Sequence, residues 1–430
     1  MDLIIENIRT FAGRHEIPLK PITILTGENS SGKTTFLASL SALTSQIGYP
    51  IEPLFNAPPY NLGSYDTIAT NKGGRFGHAK SFSLGWCQKA RNNKNKDTSE
   101  LATYSSAAGK IELFSYLFNS PQGDIKVCLH EESENKEFKV DITIPKKGKS
   151  KISHFSIKRF LKSGFVGGSF PRQIIVQILN QHDRTPEANF NDLFTLMQVK
   201  TVEESVSIAP IRTRPERTYD QTTETFSPEG GHIPFVLAKI LSESSSNRQN
   251  KLLASALERF GEESGLFKTI KVKNLGKKGS DPFQVQVNVS GKPVNLIDVG
   301  YGVSQSLPVL IESVLAANEK RILIQQPEVH LHPKAQAALG TFFVDLAVND
   351  NKEFVVETHS DYIVDRIRQE IASGRIKNDS VSILYFEREG LETKVYPLSL
   401  DKTGNVLNAP DSYRNFFLRE EMNLLTRTSK

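Results

Sequence analysis

The order of elements written into the two ends of the chain predicts an α/β fold built on a parallel sheet, and three observations carry that reading. The apolar strand Ile22-Thr23-Ile24-Leu25 stops at Gly27, and a helix from Lys33 to about Ser45 follows, with apolar residues at helical spacing in TTFLASLSALTSQ. Two further buried strands, Arg321–Ile324 and Glu353–Glu357, are separated by a helix, and strand–helix–strand order implies parallel neighbours. From Lys110 to about Ser156 the runs KIELFSYLF, DIKVCLHEE, EFKVDITI and KISHFSI are split by turn residues such as Pro121-Gln122-Gly123, which predicts an antiparallel meander.

The remaining elements follow in order. Residues 2–11 alternate as a short strand, and residues 50–100, rich in Pro, Gly, Asn and Lys, read as surface excursions. ESENKE and PKKGKSK read as solvated hairpin ends, and Glu243 to Asn250 as a polar break between helical segments. After Pro282 the strand FQVQVNVSG precedes a helix from about Ser304 to Ala317. SILYFEREG, KVYPLSLDKTGN and DSYRNFFLREEMNLL complete the sheet and add a small tail. No internal repeat or low-complexity segment is visible.

Composition bounds the function. Of 430 residues, 53 are Lys or Arg and 48 Asp or Glu, a net charge of +5 that permits contact with nucleic acid without demanding it. Hydrophobic residues at 38% and charged ones at 23% argue against disordered, collagenous and coiled-coil classes. Two cysteines, Cys87 and Cys128, exclude a disulfide scaffold and a multi-cysteine zinc site, and are most simply buried thiols of a reducing compartment. The N-terminus MDLIIENIRTF lacks a basic region followed by an apolar one, and no run reaches the ~18 apolar residues of a membrane helix. A cytoplasmic protein without membrane contact is expected.

Gly27-Glu28-Asn29-Ser30-Ser31-Gly32-Lys33-Thr34 fits the phosphate-loop pattern G-x-x-x-x-G-K-[ST] in the strand-then-helix context the pattern requires. The glycines let backbone wrap a phosphate, and the N–H groups and helix N-terminus face negative charge. Lys33 reaches the β- and γ-phosphates in such a loop, and the Thr34 hydroxyl ligates Mg²⁺. ATP and Mg²⁺ are the cofactors expected.

A phosphate loop needs a partner strand with a carboxylate for Mg²⁺ and, one residue later, a base for water. The candidate is Arg321-Ile322-Leu323-Ile324-Gln325-Gln326-Pro327-Glu328-Val329-His330-Leu331-His332-Pro333. This tract resembles the Walker B and D-loop of ABC-type ATPases of the RecF/SMC/OLD group. Asn7-Ile8-Arg9-Thr10-Phe11 resembles the strand that opens RecF and SMC-like heads. Asp298-Val299-Gly300-Tyr301-Gly302-Val303-Ser304-Gln305 resembles their degenerate signature, and Glu357-Thr358-His359-Ser360 their switch histidine. Ile208-Ala209-Pro210-Ile211-Arg212-Thr213-Arg214-Pro215-Glu216-Arg217 and Ser227-Pro228-Glu229-Gly230-Gly231 resemble a mid-chain segment of AAA proteins encoded in bacterial anti-phage loci. Residues 80–200 resemble no family.

The resemblance implies a P-loop ATPase of ABC/SMC-head architecture with an antiparallel β-subdomain and helical insertions. The divisions expected are an N-terminal lobe with Walker A at 1–95, a β-subdomain and insertion at 96–200 and a helical linking segment at 201–290. A C-terminal lobe with signature, Walker B and switch histidine at 291–395 and a tail at 396–430 complete them. The nucleotide site implied comprises Arg9, Gly27, Asn29, Ser30, Ser31, Gly32, Lys33, Thr34 and Thr35, with Ser304 acting in trans on the γ-phosphate of a second subunit. Catalysis falls to Gln325, Gln326, Glu328 and His359, and the metal to Thr34 and Gln325.

One departure stands out. Gln325 and Gln326 are neutral, so neither contributes charge to Mg²⁺ nor accepts a proton as a base. Three explanations stay open: a Glu→Gln exchange at 325 of the kind made to trap ATP, which is preferred; a protein that binds ATP and barely hydrolyses it; or an acid supplied by Glu328 or Glu357. Other residues have plainer readings. His330 and His332 are loop residues rather than metal ligands, Ser304 is alternatively the N-cap of its helix, and Arg212, Arg214 and Arg217 either line a phosphate-rich partner or pair with Glu204, Glu216 and Asp220. No G-x-S-x-G elbow and no acidic cluster of a TOPRIM or HNH nuclease is visible.

The expected protein is therefore an ATP-dependent dimerising switch, a homodimer or an oligomer of dimers. The resemblance implies anti-phage defence of the Septu or PARIS kind, with a separate nuclease or toxin-like effector. The alternative is a RecF-like repair ATPase that binds DNA. An ABC transporter subunit lacks support.

Overall fold

The computed structural model describes residues 1–45, 48–73, 77–90, 96–130, 137–146, 149–157, 169–181, 190–197, 202–220, 225–242, 248–276, 281–318, 320–413 and 422. Parts of the hairpin ends ESENKE and PKKGKSK, residues 243–247 of the polar break, and residues 414–421 and 423–430 of the C-terminal tail lie outside the described residues. The chain divides into two compact units, residues 1–19, 34–205 and 388–394, and residues 20–33, 206–387 and 395–430.

The first unit holds an eight-stranded antiparallel sheet in the spatial order Phe11–Pro18, Asp2–Ile8, Ser81–Gln88, Thr98–Ala107, Lys110–Ser120, Gly123–His130, Glu137–Lys146 and Lys149–Ile157. Alternate residues of these strands are buried, as in Ala102 and Tyr104, Tyr116 and Phe118, Ile125 and Val127, Val140 and Ile142. That is the period-two pattern of a sheet with one covered face. The predicted meander is present, and four earlier strands extend it.

Residues 2–11 are not one strand but the start of a hairpin, Asp2–Ile8 paired with Phe11–Pro18 across Asn7 and Arg9, both at positive φ (54° and 50°). Residues 50–100 are not mere surface excursions. Phe55, Tyr65 and Tyr104 pack their rings around Phe82 at centroid distances of 5.8, 5.5 and 5.3 Å, inside the unit. Their Pro- and Gly-rich surroundings hide buried aromatics that supply much of the apolar area removed from water.

The second unit holds a seven-stranded sheet in the order Ser205–Ile208, Arg321–Gln325, Glu353–Glu357, Ile22–Gly27, Val381–Glu389, Glu392–Leu400 and Val406–Leu407. The pairs among Arg321–Gln325, Glu353–Glu357, Ile22–Gly27 and Val381–Glu389 are parallel. Their near-continuous apolar runs fit strands buried on both faces. Side chains of Leu307, Leu310, Leu339, Phe343, Ile363 and Ile367 on the helices Tyr301–Leu315, Pro333–Asn349 and Asp361–Ala372 join the same core. A three-stranded antiparallel sheet, Thr269–Asn274, Phe283–Asn288 and Pro293–Asn295, packs into it through Phe283, Val285 and Val287. This is the predicted α/β fold with an antiparallel β-subdomain and helical insertions.

Among the described residues no helix is long and apolar enough to cross a membrane. The two thiols are half-buried rather than buried.

Candidate functional site

The phosphate loop follows directly from strand Ile22–Gly27 and opens the helix Lys33–Thr44. Gly27 is required by geometry: at φ 133° a Cβ would stand 2.0 Å from the carbonyl oxygen of Phe386 on the adjacent strand. Ser30 (φ 60°) and Gly32 (φ 104°) bend the loop back so that it closes on itself. The Ser31 hydroxyl donates to the Glu28 carbonyl at 2.8 Å. Lys33, 3% exposed, donates from Nζ to the carbonyls of Gly27 at 3.0 Å and Glu28 at 2.5 Å. Burial lowers the pKa of this ammonium, and attraction to Glu357, then to Glu28, opposes the effect. Asn29 and Ser30 are exposed on the loop, while Thr34, exposed, and Thr35, buried, form the first turn of the helix.

The carboxyl end of strand Arg321–Gln325 lies one strand further along. Gln325 pairs in register with Glu357, and Glu357 in turn with Leu25 of the phosphate-loop strand. Glu357 therefore stands between the two. Its carboxylate is 5% exposed and accepts a hydrogen bond from the Gln325 amide nitrogen, Nε2 to Oε2 at 3.3 Å. Gln326 turns the chain at φ 44° and donates its backbone N–H to the Glu357 carbonyl at 2.7 Å.

Glu328 is held at both of its carboxylate oxygens. One of its oxygens accepts from the Thr358 hydroxyl at 2.8 Å, the other from the His359 backbone N–H at 2.7 Å. It ties the turn after one strand to the turn after the next. His359 itself is exposed, and Ser360 caps the following helix by accepting from the Ile363 N–H.

Arg212 is the residue whose role the sequence concealed. It does not pair with Glu204, Glu216 or Asp220. It is 4% exposed, and its Nη2 donates to the carbonyls of Gln325 at 3.0 Å and Gln326 at 3.2 Å. Burial lowers its pKa to about 10, with attraction to Glu328 working the other way. No local signal marks this contact, since the partners are 113 and 114 residues away. Arg217 pairs with Asp298 through two hydrogen bonds, at 2.7 and 3.1 Å, again outside its sequence neighbourhood.

Ser304 is not the N-cap of its helix. The helix starts at Tyr301, Gly300 occupies the cap without a side-chain bond, and the Ser304 hydroxyl donates to the Tyr301 carbonyl at 3.0 Å. The Tyr301 ring lies 5.8 Å from that of His330, which brings the start of this helix against the turn after strand Arg321–Gln325. His332 is the N-cap of Pro333–Asn349, accepting from the Lys334 N–H. Among the described residues no three His, Cys, Asp or Glu side chains gather as a metal site. Arg9 belongs to the first unit, where its Nη2 donates to the Leu62 carbonyl at 3.0 Å.

The arrangement is one that can hold a polyphosphate at the loop and a hard divalent cation beside it. Glu357 and the amide oxygen of Gln325 are oxygen donors of the type Mg²⁺ takes, and the loop motif adds the Thr34 hydroxyl.

A family model described as "AAA ATPase domain" matches residues 1–364. No curated protein matches the chain. Among solved structures the chain is similar to an SMC head bound to the C-terminal winged-helix domain of ScpA, at TM-score 0.42 and 11% identity, covering 93% of this chain and 98% of that one. It is similar to the SMC head domain of Thermotoga maritima at TM-score 0.41 and 10% identity, over 93% and 98%. An SMC head with an extended coiled coil, bound to a ScpA domain derived from Pyrococcus furiosus, aligns at TM-score 0.41 and 10% identity over 100% and 99%.

Proposed function

The chain belongs to the AAA ATPase domain family, and from that premise we propose that it is an ATP-binding switch that dimerises around nucleotide and thereby controls a separate effector protein. The observation that carries the reading is the phosphate loop, with Lys33 folded over the Gly27 and Glu28 carbonyls and attracted to Glu357. A lysine held there by weak carbonyl acceptors is ready to exchange them for phosphate oxygens, which are charged and bind it more strongly.

In this reading two copies each hold ATP and Mg²⁺, and the helix that starts at Tyr301, with Ser304 in its first turn, completes the partner's site. Gly300 caps that helix without a side chain in the way, which lets a phosphate approach the N-terminal turn. Hydrolysis is slow because Gln325 and Gln326 cannot act as bases. The setting is bacterial anti-phage defence of the Septu or PARIS kind, with a nuclease or toxin-like effector encoded apart from this chain. That assignment rests on the resemblance of residues 208–217 and 227–231 to ATPases from such loci.

The alternative of a RecF-like DNA-binding ATPase draws on the same arginines. Arg212 is buried on backbone carbonyls and Arg217 is paired with Asp298, so of the three arginines of that segment two are already engaged, and Arg214 is exposed. Lys33→Ala is expected to abolish ATP binding, read by equilibrium titration of a fluorescent ATP analogue; retained affinity sinks the assignment. ATP is expected to convert monomer to dimer in light-scattering chromatography. Affinity capture with ATP and Mg²⁺ is expected to recover a stoichiometric effector. Recovery of DNA and repair proteins alone, in a nuclease-sensitive and steeply salt-dependent manner, favours the RecF-like reading.

A further inference from the structure

We propose that Glu357 is the acid of the nucleotide site: it supplies, from the neighbouring strand, the negative charge that positions 325 and 326 lack. The proposal rests on the ATP-binding reading above and assigns within it the residue that would hold Mg²⁺ together with the nucleotide.

Glu28 is exposed on the loop, and its backbone carbonyl is the atom hydrogen-bonded to Lys33. Glu328 is engaged at both oxygens by Thr358 and His359, so using it elsewhere would release the two turns it joins. Glu357 remains, in register with Gln325 on one side and Leu25 of the phosphate-loop strand on the other. Only a paired carboxylate is tolerated at 5% exposure, and Lys33, itself buried, is the cation attracted to it.

The neutral residue at 325 then acquires a reason. Its amide nitrogen donates to Glu357 Oε2 at 3.3 Å. A glutamate in the same place would set a second carboxylate against the first in a buried site, and like charges there disfavour joint ionisation. Gln325 and Glu357 are thus complementary, one donor and one charge, and the charge has moved one strand toward the phosphate loop. Gln325 keeps its amide oxygen as a further neutral ligand. Without a preformed cluster of acids among the described residues, the cation is bound with the nucleotide rather than before it, the habit of Mg²⁺ at phosphate sites.

The test compares ATP affinity with Mg²⁺ and with EDTA in wild type, Glu357→Gln and the exchange variant Gln325→Glu/Glu357→Gln. Wild type is expected to gain affinity with Mg²⁺, and Glu357→Gln to lose about tenfold or more of that gain while its EDTA affinity stays. The exchange variant is expected to recover it. A Glu357→Gln protein with the wild-type gain overturns the proposal and leaves the nucleotide reading intact. Wild-type protein that binds no ATP in either buffer overturns both. Should Glu357→Gln not fold, the single variant Gln325→Glu decides by thermal melting: it is expected to melt below wild type in EDTA and to regain the difference with Mg²⁺ and ATP. Equal or higher melting in EDTA overturns the proposal.

Discussion

Arg212 shows how much one side chain can fix at a distance. Its guanidinium holds the carbonyls of Gln325 and Gln326, while its buried Nε and Nη1 atoms have no hydrogen-bond partner among the described residues. Removal takes a donor from two carbonyls at the end of strand Arg321–Gln325, and of these the Gln326 carbonyl keeps the Val329 N–H at 3.4 Å. Arg212→Met is expected to cost about 2–4 kcal/mol of stability, read by denaturant unfolding of the nucleotide-free protein. Glu100 is the corresponding residue of the first unit. It lies 4% exposed and accepts from Trp86 Nε1 at 2.8 Å and the Tyr116 hydroxyl at 2.7 Å. Burial raises its pKa above the ordinary value of 4.5, against the two hydrogen bonds, which lower it. The neutral acid is favoured in the folded state, so its contribution is complete below the unfolded pKa and declines as pH rises through the folded one. Glu100→Gln is expected to flatten the fall of melting temperature from pH 4.5 upward; an unchanged slope counts against this assignment.

At the scale of elements, the site is a set of turns after parallel strands, each held by one side chain from another turn. Glu328 is the clearest clamp. Glu328→Ala leaves the Thr358 hydroxyl and the His359 N–H without their acceptor and is expected to cost about 1–3 kcal/mol, with Glu328→Gln losing less because one acceptor remains. Chemical denaturation of both variants checks the order. Gly27 is the other constraint. Gly27→Ala meets the Phe386 carbonyl at 2.0 Å and a left-handed φ together, so the turn must move. A loss of at least about 1 kcal/mol is expected, together with weakened ATP binding.

At the scale of the whole molecule, the chain divides into two units whose segments alternate along the sequence, one around the eight-stranded antiparallel sheet and one around the seven-stranded sheet with its parallel centre. The parallel sheet required this, because its central strand Ile22–Gly27 is near the N-terminus and its neighbours are at 353–357 and 381–389. In the antiparallel sheet the strands from Ser81 to Ile157 follow one another in sequence and need only hairpins, whereas Asp2–Ile8 pairs with Ser81–Gln88 across a long connection. The net charge of +5 is spread over 430 residues, so any duplex DNA binding is expected to be weak at physiological salt and lost steeply as salt rises. A titration across ionic strengths reads this directly, and salt-resistant binding contradicts it.

Local pattern determined the phosphate loop, the buried strands and the meander. Each depends on spacing within a few residues, on glycine where φ must be positive, and on a strand ending where a helix begins. The buried aromatics of 50–100 escaped notice because Pro and Gly report turns and say nothing of where the intervening rings go. Tertiary structure alone decided which carboxylate stands beside the phosphate loop, which arginine holds the Gln325 and Gln326 carbonyls, and that Glu328 clamps a turn. Those contacts join residues from about 30 to 114 positions apart. Parallel register sets them, and register is a property of the assembled sheet rather than of any one strand.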